Sequence, residues 1–440
     1  MPFHRPRLFR YCWQTILASL IVVYSPFALT YALNPDTCSS DPYLSLLDFR
    51  TRLSTCPLPI DEDSAIDTGS WAPWKRRPYC IEPYLDGPGP SFCVYTFEPF
   101  RGDQGISIVT TPALAASVVD VLDDAIVPPK LKDHSVEASQ NSPPYTIGYI
   151  PNKGKGLIAQ RQIRKWEVVF VDYPSLLVHL DVFDVVDAEA RQDLLERALH
   201  QLPEHQRDVA LALARSTGGE PIEDIMRTNI FGVEMGSDIQ HLGLLPIGSR
   251  INHDCTPNVF WRYSERTLAV EVLALRDIEA GEEITQSYVP LGLPYKERTE
   301  GLKSWEFTCS CSLCTAPKSR RARSDQHRDR LQLIYHQLNE GATGKADLSV
   351  STVGKLTREM EALVREEQLE VQLLVYYGAV ARAYLRVGDV AAARRYVDRN
   401  EELWARYAGD EQDYFAGMEQ LRHELEERER AALKSGNGNV

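Results

Sequence analysis

Apolar positions along this chain recur with two different periods, and the changes of period divide it. From Tyr145 onward, the runs 145–150 and 167–171 are short, rich in β-branched and aromatic residues, and separated by a glycine-bearing turn, which predicts strands. Between Asp187 and Met226 the spacing lengthens to three and four, through Leu194, Leu195, Ala198 and Leu199 and then 209–214, which predicts helices. Strand-like runs return at 259–263, 268–273 and 283–288. Residues 145–290 therefore read as a β-rich domain with a helical insert at 187–226. Beyond Pro317 the pattern is helical to near Leu433, with a glycine-bearing break at 339–345. Within it, 376–387, Gly388 and 390–407 read as helix, tight turn, helix, with Ala379, Ala383 and Ala391 to Ala393 at close-packing positions. That pair resembles one tetratricopeptide unit; an array needs about three repeats, so the plainer reading of 325–433 is an α-helical packing domain with a TPR-like pair. The fold class expected is α+β.

The upstream part is less regular. Residues 34–100 are rich in Pro, Gly, Trp and Cys and read as loop-dominated, 107–110 as a short strand, 113–122 as helical, and 130–144 as a polar, proline-bounded linker. At the start, Arg5, Arg7 and Arg10 precede an apolar run over 11–33. This predicts either a signal peptide cut after Ala32 or an uncleaved signal anchor, both of which send the remainder into the secretory pathway, secreted or membrane-anchored. Membrane contact follows only if the segment stays uncleaved. A misassigned start would instead leave the protein in the cytoplasm or nucleus, and the lack of any Asn-x-Ser/Thr acceptor agrees with that alternative.

The net charge of −14 speaks against direct nucleic-acid binding, because phosphate contacts need a basic stripe and only 318–323 offers a short one. An acidic surface suits basic peptides. Apart from Cys12 in the apolar run, the cysteines fall in two groups. Cys38, Cys56, Cys80 and Cys93 would suit two disulfides in an oxidising compartment, with three possible connectivities. Cys309, Cys311 and Cys314, spaced Cys-x-Cys-x2-Cys, present three thiolates within one turn. Structural zinc takes four ligands, and Cys255 is the nearest candidate for the fourth. The alternative is a pair of disulfides among these same four cysteines.

Three segments carry the chemistry in order: Arg250-Ile251-Asn252-His253-Asp254-Cys255-Thr256-Pro257-Asn258, then Gly281-Glu282-Glu283-Ile284-Thr285-Gln286-Ser287-Tyr288, then the cysteine turn preceded by Phe307. Together with Asn152-Lys153-Gly154-Lys155-Gly156-Leu157-Ile158-Ala159 and Thr228-Asn229-Ile230-Phe231, this order resembles the SET-domain protein-lysine methyltransferases. The resemblance runs from about Tyr145 to Pro317. It is closest to the branch holding the SET-and-MYND proteins and the fungal SET-five-like proteins, without the MYND finger.

The resemblance implies a β-clip with a pseudoknot, a post-SET zinc segment at 291–317, and S-adenosylmethionine and structural zinc as cofactors. It assigns Lys155, Gly156, Asn252, His253 and Phe307 to the cofactor, Tyr288 to the lysine channel as the catalytic residue, and Cys255, Cys309, Cys311 and Cys314 to zinc. The substrate implied is a lysine-containing protein or peptide, and the helical C-terminal domain offers a surface for a further protein partner. A secreted or membrane-tethered binding protein that keeps the scaffold without catalysis is the second reading. Two departures stand out: Trp305 where many relatives have a second active-site tyrosine, and Trp166 where the family places a glycine turn.

Overall fold

Strand β2 (Phe92–Phe97) alternates its side chains between two separate cores, and this explains how the upstream residues are used. Cys93 and Tyr95 face a core shared with Ile106, Leu157 and Val270, whereas Phe92 and Val94 face one shared with Leu194, Ala198 and Met226. A strand buried on both faces shows no polar alternation, and that is why 92–97 carry no strand signal in the sequence. The computed structural model describes residues 73–74, 76–83, 90–122, 143–236, 240–407 and 416–436. The apolar segment 11–33, the linker at 130–142, Cys38 and Cys56 lie outside the described residues.

β2 sits in a six-stranded sheet with β1 (Tyr79–Ile81), β3 (Ile106–Thr110), β7 (Leu176–His179), β8 (Ile230–Glu234) and β9 (Gln240–Leu244), in the order β1-β2-β3-β7-β9-β8. The Cys80–Cys93 disulfide joins β1 to β2 at directly opposed positions. Helices α2 (Ala188–His200), α3 (Glu204–Leu211) and α4 (Pro221–Asn229) form the expected insert and cover one face of this sheet. α1 (Pro112–Ser117), capped by Thr111, packs on the other.

A four-stranded sheet, ordered β10-β13-β5-β4, is built from β4 (Tyr145–Ile150), β5 (Gly154–Ala159), β10 (Asn252–His253) and β13 (Glu283–Gln286). The segment read as a glycine-rich turn is thus itself a strand, pairing Gly156 opposite Gly148. β6 (Val168–Asp172), β11 (Val259–Ser264) and β12 (Ala269–Ala274) complete a three-stranded sheet.

Downstream come α5 (Tyr295–Gly301), α6 (Lys318–Thr343), α7 (Val350–Glu367), α8 (Leu373–Arg386), α9 (Val390–Tyr407) and α10 (Ala416–Gly436). Helix α6 runs through the expected break as far as Thr343 and ends only at Gly344, whose φ of +76° turns the chain. Helices α8 and α9 form the expected hairpin around Gly388, at φ +83°, and bury Ala379, Ala383, Ala392 and Ala393. The chain is α+β, with an all-helical C-terminal core distinct from those of the sheets. No helix among the described residues is long and apolar enough to cross a membrane.

The helices from α6 onward are anchored to the preceding chain at specific points. Gln372 Nε2 donates to Leu291 O at 2.8 Å, the Tyr295 amide donates to Asp325 Oδ1 at 2.7 Å, and the Tyr407 ring packs on Trp166 and Phe260 at 4.7 and 5.7 Å.

Candidate active site

The parallel pairing of β10 with β13 places Asn252 beside Thr285 and His253 beside Gln286. Two buried side chains fix that arrangement. Asp172 Oδ2 accepts from the amides of Ile247 and Gly248 at 2.8 and 2.7 Å, holding the 3-10 turn Gly248–Arg250 that leads into Asn252. Asn258 donates to Glu283 O and accepts from the Thr285 amide, both at 2.8 Å, tying the chain after Cys255 across β13.

Asn252 lies against β5. Its Nδ2 donates to Glu283 Oε1 at 3.0 Å and to Lys155 O at 3.4 Å, while Lys153 Nζ pairs with Glu283 Oε2 at 2.7 Å. A Cβ on Gly156 would fall 2.6 Å from Asn252 Nδ2 and 2.7 Å from Ile150 Cγ1, so glycine is what allows this approach. Lys155 is exposed and contributes its carbonyl.

His253 is buried and joins two sites. Its Nδ1 accepts the Tyr288 amide at 3.1 Å, which leaves Nε2–H to donate to Cys255 Sγ at 3.3 Å. Burial above all, with Lys153 and Arg298 adding positive charge nearby, pushes its pKa down to about 4, so the ring is neutral. Tyr288 stands two residues beyond the end of β13 and donates its hydroxyl to Ile251 O at 2.8 Å. Burial first, then the Glu283 carboxylate, pushes its pKa above the ordinary tyrosine value, so the phenol stays protonated.

Aromatic rings gather around Tyr288: His253 and Trp305 at 5.4 Å each, and Phe307 edge-on at 6.2 Å. Glu306, with φ +55°, turns the backbone between Trp305 and Phe307. Phe307 is 38 % exposed and lies 6.0 Å from His253. The insert reaches this wall through Ser216, whose hydroxyl donates to Trp305 O at 3.4 Å.

Cys255, Cys309, Cys311 and Cys314 bring their sulfurs within 4.8 Å of one another, and none of them is in a disulfide. Tetrahedral zinc with Zn–S near 2.3 Å needs sulfurs roughly 3.8 Å apart. The Cys255 sulfur lies 3.9 Å from that of Cys309 and 3.5 Å from that of Cys314, so the donor set fits zinc. Hydrogen bonds from Cys255, Cys309 and Cys314 hold Cys311 far below the ordinary thiol pKa, whereas hydrogen bonds with Cys309, Cys311 and Cys314 push Cys255 up. A divalent ion among them would let all four ionise.

The residues singled out from the sequence thus fall in one region, with Lys155, Gly156, Asn252, His253, Tyr288 and Phe307 on one side and the four sulfurs behind His253. Sequence reading missed the roles of Asp172, Asn258, Glu283 and Lys153. Asp172 closes the apolar run of β6 as its only charge, and a charge at the end of such a strand is a signal that could have found it. Trp166 does stand where a glycine conformation is used, at φ +72°, and its ring packs on Tyr407 at the end of α9.

Comparison with known proteins gives a match to the SET domain family over residues 154–289. Histone-lysine N-methyltransferase set5 of Schizosaccharomyces pombe is 32 % identical over 194 residues, covering 44 % of this chain and 56 % of that protein. Histone-lysine N-methyltransferase ATXR2 of Arabidopsis thaliana is 38 % identical over 104 residues, 23 % of this chain and 22 % of that protein. N-lysine methyltransferase SMYD2 of Rattus norvegicus is 33 % identical over 158 residues, 33 % of this chain and 32 % of that protein. The chain therefore spans about half or less of the length of these relatives.

Proposed function

We propose, because residues 154–289 match the SET domain family, that this chain is an S-adenosylmethionine-dependent protein-lysine N-methyltransferase. The observation that carries the reading is the His253 ring, which ties the Tyr288 amide on one side to the four-thiolate site on the other. Gly156, Asn252 and the Lys155 carbonyl would hold the polar end of S-adenosylmethionine, and Phe307 its adenine. The cofactor supplies a methyl group on a positively charged sulfur, open to in-line attack by a neutral amine.

The chain's own contribution is alignment and desolvation. Tyr288 and Trp305, their rings 5.4 Å apart, would wall an apolar channel in which the substrate lysine loses its ammonium form more readily than in water. The protonated Tyr288 hydroxyl, anchored on Ile251 O, fixes the wall against which the amine is oriented. Cys255, Cys309, Cys311 and Cys314 would hold zinc, which would play a structural part there by ordering the turn that carries Trp305 and Phe307.

The substrate class is a lysine-containing protein, in keeping with the names of the relatives. The basic and apolar start of the chain and the Cys80–Cys93 disulfide favour the secretory pathway, and a C-terminal tag found in the cytosol would remove that assignment. The decisive experiment for the activity is titration calorimetry with S-adenosylmethionine, zinc being assayed on the same sample. Saturable binding supports the proposal, and no heat of binding up to millimolar cofactor would sink it.

A further inference from the structure

Two arginines are buried behind the cysteine turn, and their partners do not balance their charge. Arg298 on α5 and Arg328 on α6 are each 1 % exposed. Their guanidinium groups converge on one acceptor, both donating from Nη1 to Leu293 O, at 2.5 and 3.4 Å. Like charges held this close need anions nearby. The carboxylate that answers them is Glu367, which accepts from Arg328 Nε at 3.1 Å and is shared with Ser324 and His327. Nε and Nη2 of Arg298, and Nη2 of Arg328, have no hydrogen-bond partner among the described residues.

One positive charge is therefore left over in a buried place. The neighbouring structure with the opposite imbalance is the sulfur cluster: four thiolates around a divalent ion carry a net charge of about −2. Both arginines sit against that cluster: their shared acceptor, Leu293, packs on the core that holds Cys255, Cys309, Cys311 and Cys314. A third arginine belongs to the same shell: Arg321 donates to Cys314 O at 3.4 Å and lies 4.5 Å over the Tyr295 ring, which packs on the cysteine core.

Resting on the reading of the four cysteines as a zinc site, we infer that Arg298 and Arg328 are its charge-balancing positioning residues, the buried counterions of a tetrathiolate that would otherwise stand uncompensated. Helices α5 and α6 are then held together by the same charge that holds the metal. The C-terminal domain begins at α6, so metal loading and domain docking share one electrostatic centre.

The test is zinc release from the full chain into a chromogenic chelator, with zinc per protein measured beforehand and folding checked by circular dichroism. Loss of an outer-shell partner typically costs about 10- to 100-fold in metal affinity, and Arg298→Gln is expected to release zinc faster by that order. Arg298→Lys keeps the charge and is expected to stay within roughly threefold of the parent. Leu338→Ala, in the separate helical core, controls for general destabilisation and should leave release unchanged. Equal release from the parent and Arg298→Gln overturns the inference, as does equal acceleration in the Gln and Lys variants. If Arg298→Gln does not fold, it is paired with Cys311→His, which removes one negative charge from the cluster: recovery of folded, zinc-bound protein supports the charge account, and failure of the pair overturns it. A parent protein that carries no zinc overturns the metal reading and this inference together, whereas a zinc-loaded parent with an unaffected Gln variant overturns only the arginine assignment.

Discussion

Gly156 and Asn252 meet so closely that a single methyl group on the glycine would come within 2.6 Å of the asparagine Nδ2. The Asn252 side chain can swing away, but only by giving up its bond to Glu283 Oε1. Gly156→Ala is therefore expected to weaken S-adenosylmethionine binding by on the order of tenfold or more, and to destabilise the fold by about 1–3 kcal/mol through overpacking against Ile150. Calorimetry and urea denaturation of the same preparation check the two effects. Unchanged affinity would detach Asn252 from the cofactor.

Tyr288→Phe removes a buried hydroxyl whose acceptor is Ile251 O, leaving the aromatic packing with Trp305 and Phe307 in place. If that hydroxyl shapes the transition state, kcat on a peptide substrate should fall by roughly 10²-fold or more while cofactor affinity stays within twofold. A drop in affinity with kcat unchanged would place Tyr288 in the binding wall only.

Much of this site is legible in the sequence, because its chemistry comes in contiguous words: Asn252-His253 and Cys309-x-Cys311-x2-Cys314 each bring their groups together within a few residues. Contacts between distant segments leave no such trace. The Glu283–Lys153 pair spans 130 residues, and the Asp172 carboxylate reaches amides 75 and 76 residues away. The fold divides in the same way. The amphipathic insert and the α8–α9 hairpin display their periods, whereas β2, apolar on both faces, and β5, hidden in a glycine-rich motif, do not.

Removing the metal tests the separation of the two halves. Cys311→Ser is expected to abolish zinc binding and to disorder the turn bearing Trp305 and Phe307, shifting tryptophan fluorescence to the red. The far-ultraviolet helical signal should be largely kept, because the C-terminal core of Leu331, Ile334, Val380 and Val397 contains none of the cysteines. Complete loss of helicity would show that zinc carries the whole fold.

Trp166 sets backbone strain against docking. Its φ of +72° is unfavourable for any residue with a side chain, by about 1–2 kcal/mol, whereas its ring meets Tyr407 at 4.7 Å and lies near the cations of Lys165 and Arg406. Trp166→Ala loses the docking and keeps the strain; Trp166→Gly loses the docking and relieves it. Urea denaturation should therefore rank the parent highest and Gly above Ala by about 1 kcal/mol. An alanine variant as stable as the glycine variant would show that the turn relaxes around its φ.

Asp172 gives the fold a pH dependence whose sign is fixed by its burial. Complete burial raises its pKa to about 6, outweighing the amides of Gly248, Ile247 and Tyr173 that favour the carboxylate. An unfolded chain has the ordinary value of about 3.9. The folded state therefore holds this proton more tightly, and the stability it contributes is complete below about pH 4 and is lost as pH rises through about 6. Asp172→Asn cannot titrate, and the constant cost of turning amide hydrogens toward Ile247 and Gly248 is the same at every pH. The stability difference, parent minus variant, should thus fall by on the order of 2–3 kcal/mol between pH 4 and pH 7.5, other titrations cancelling between the two proteins. Urea denaturation at the two pH values measures it. A difference that stays constant would mean that Asp172 keeps the ordinary carboxylate pKa in the folded state, and one that rises would mean that the three amides hold it ionised and reverse the sign of its contribution.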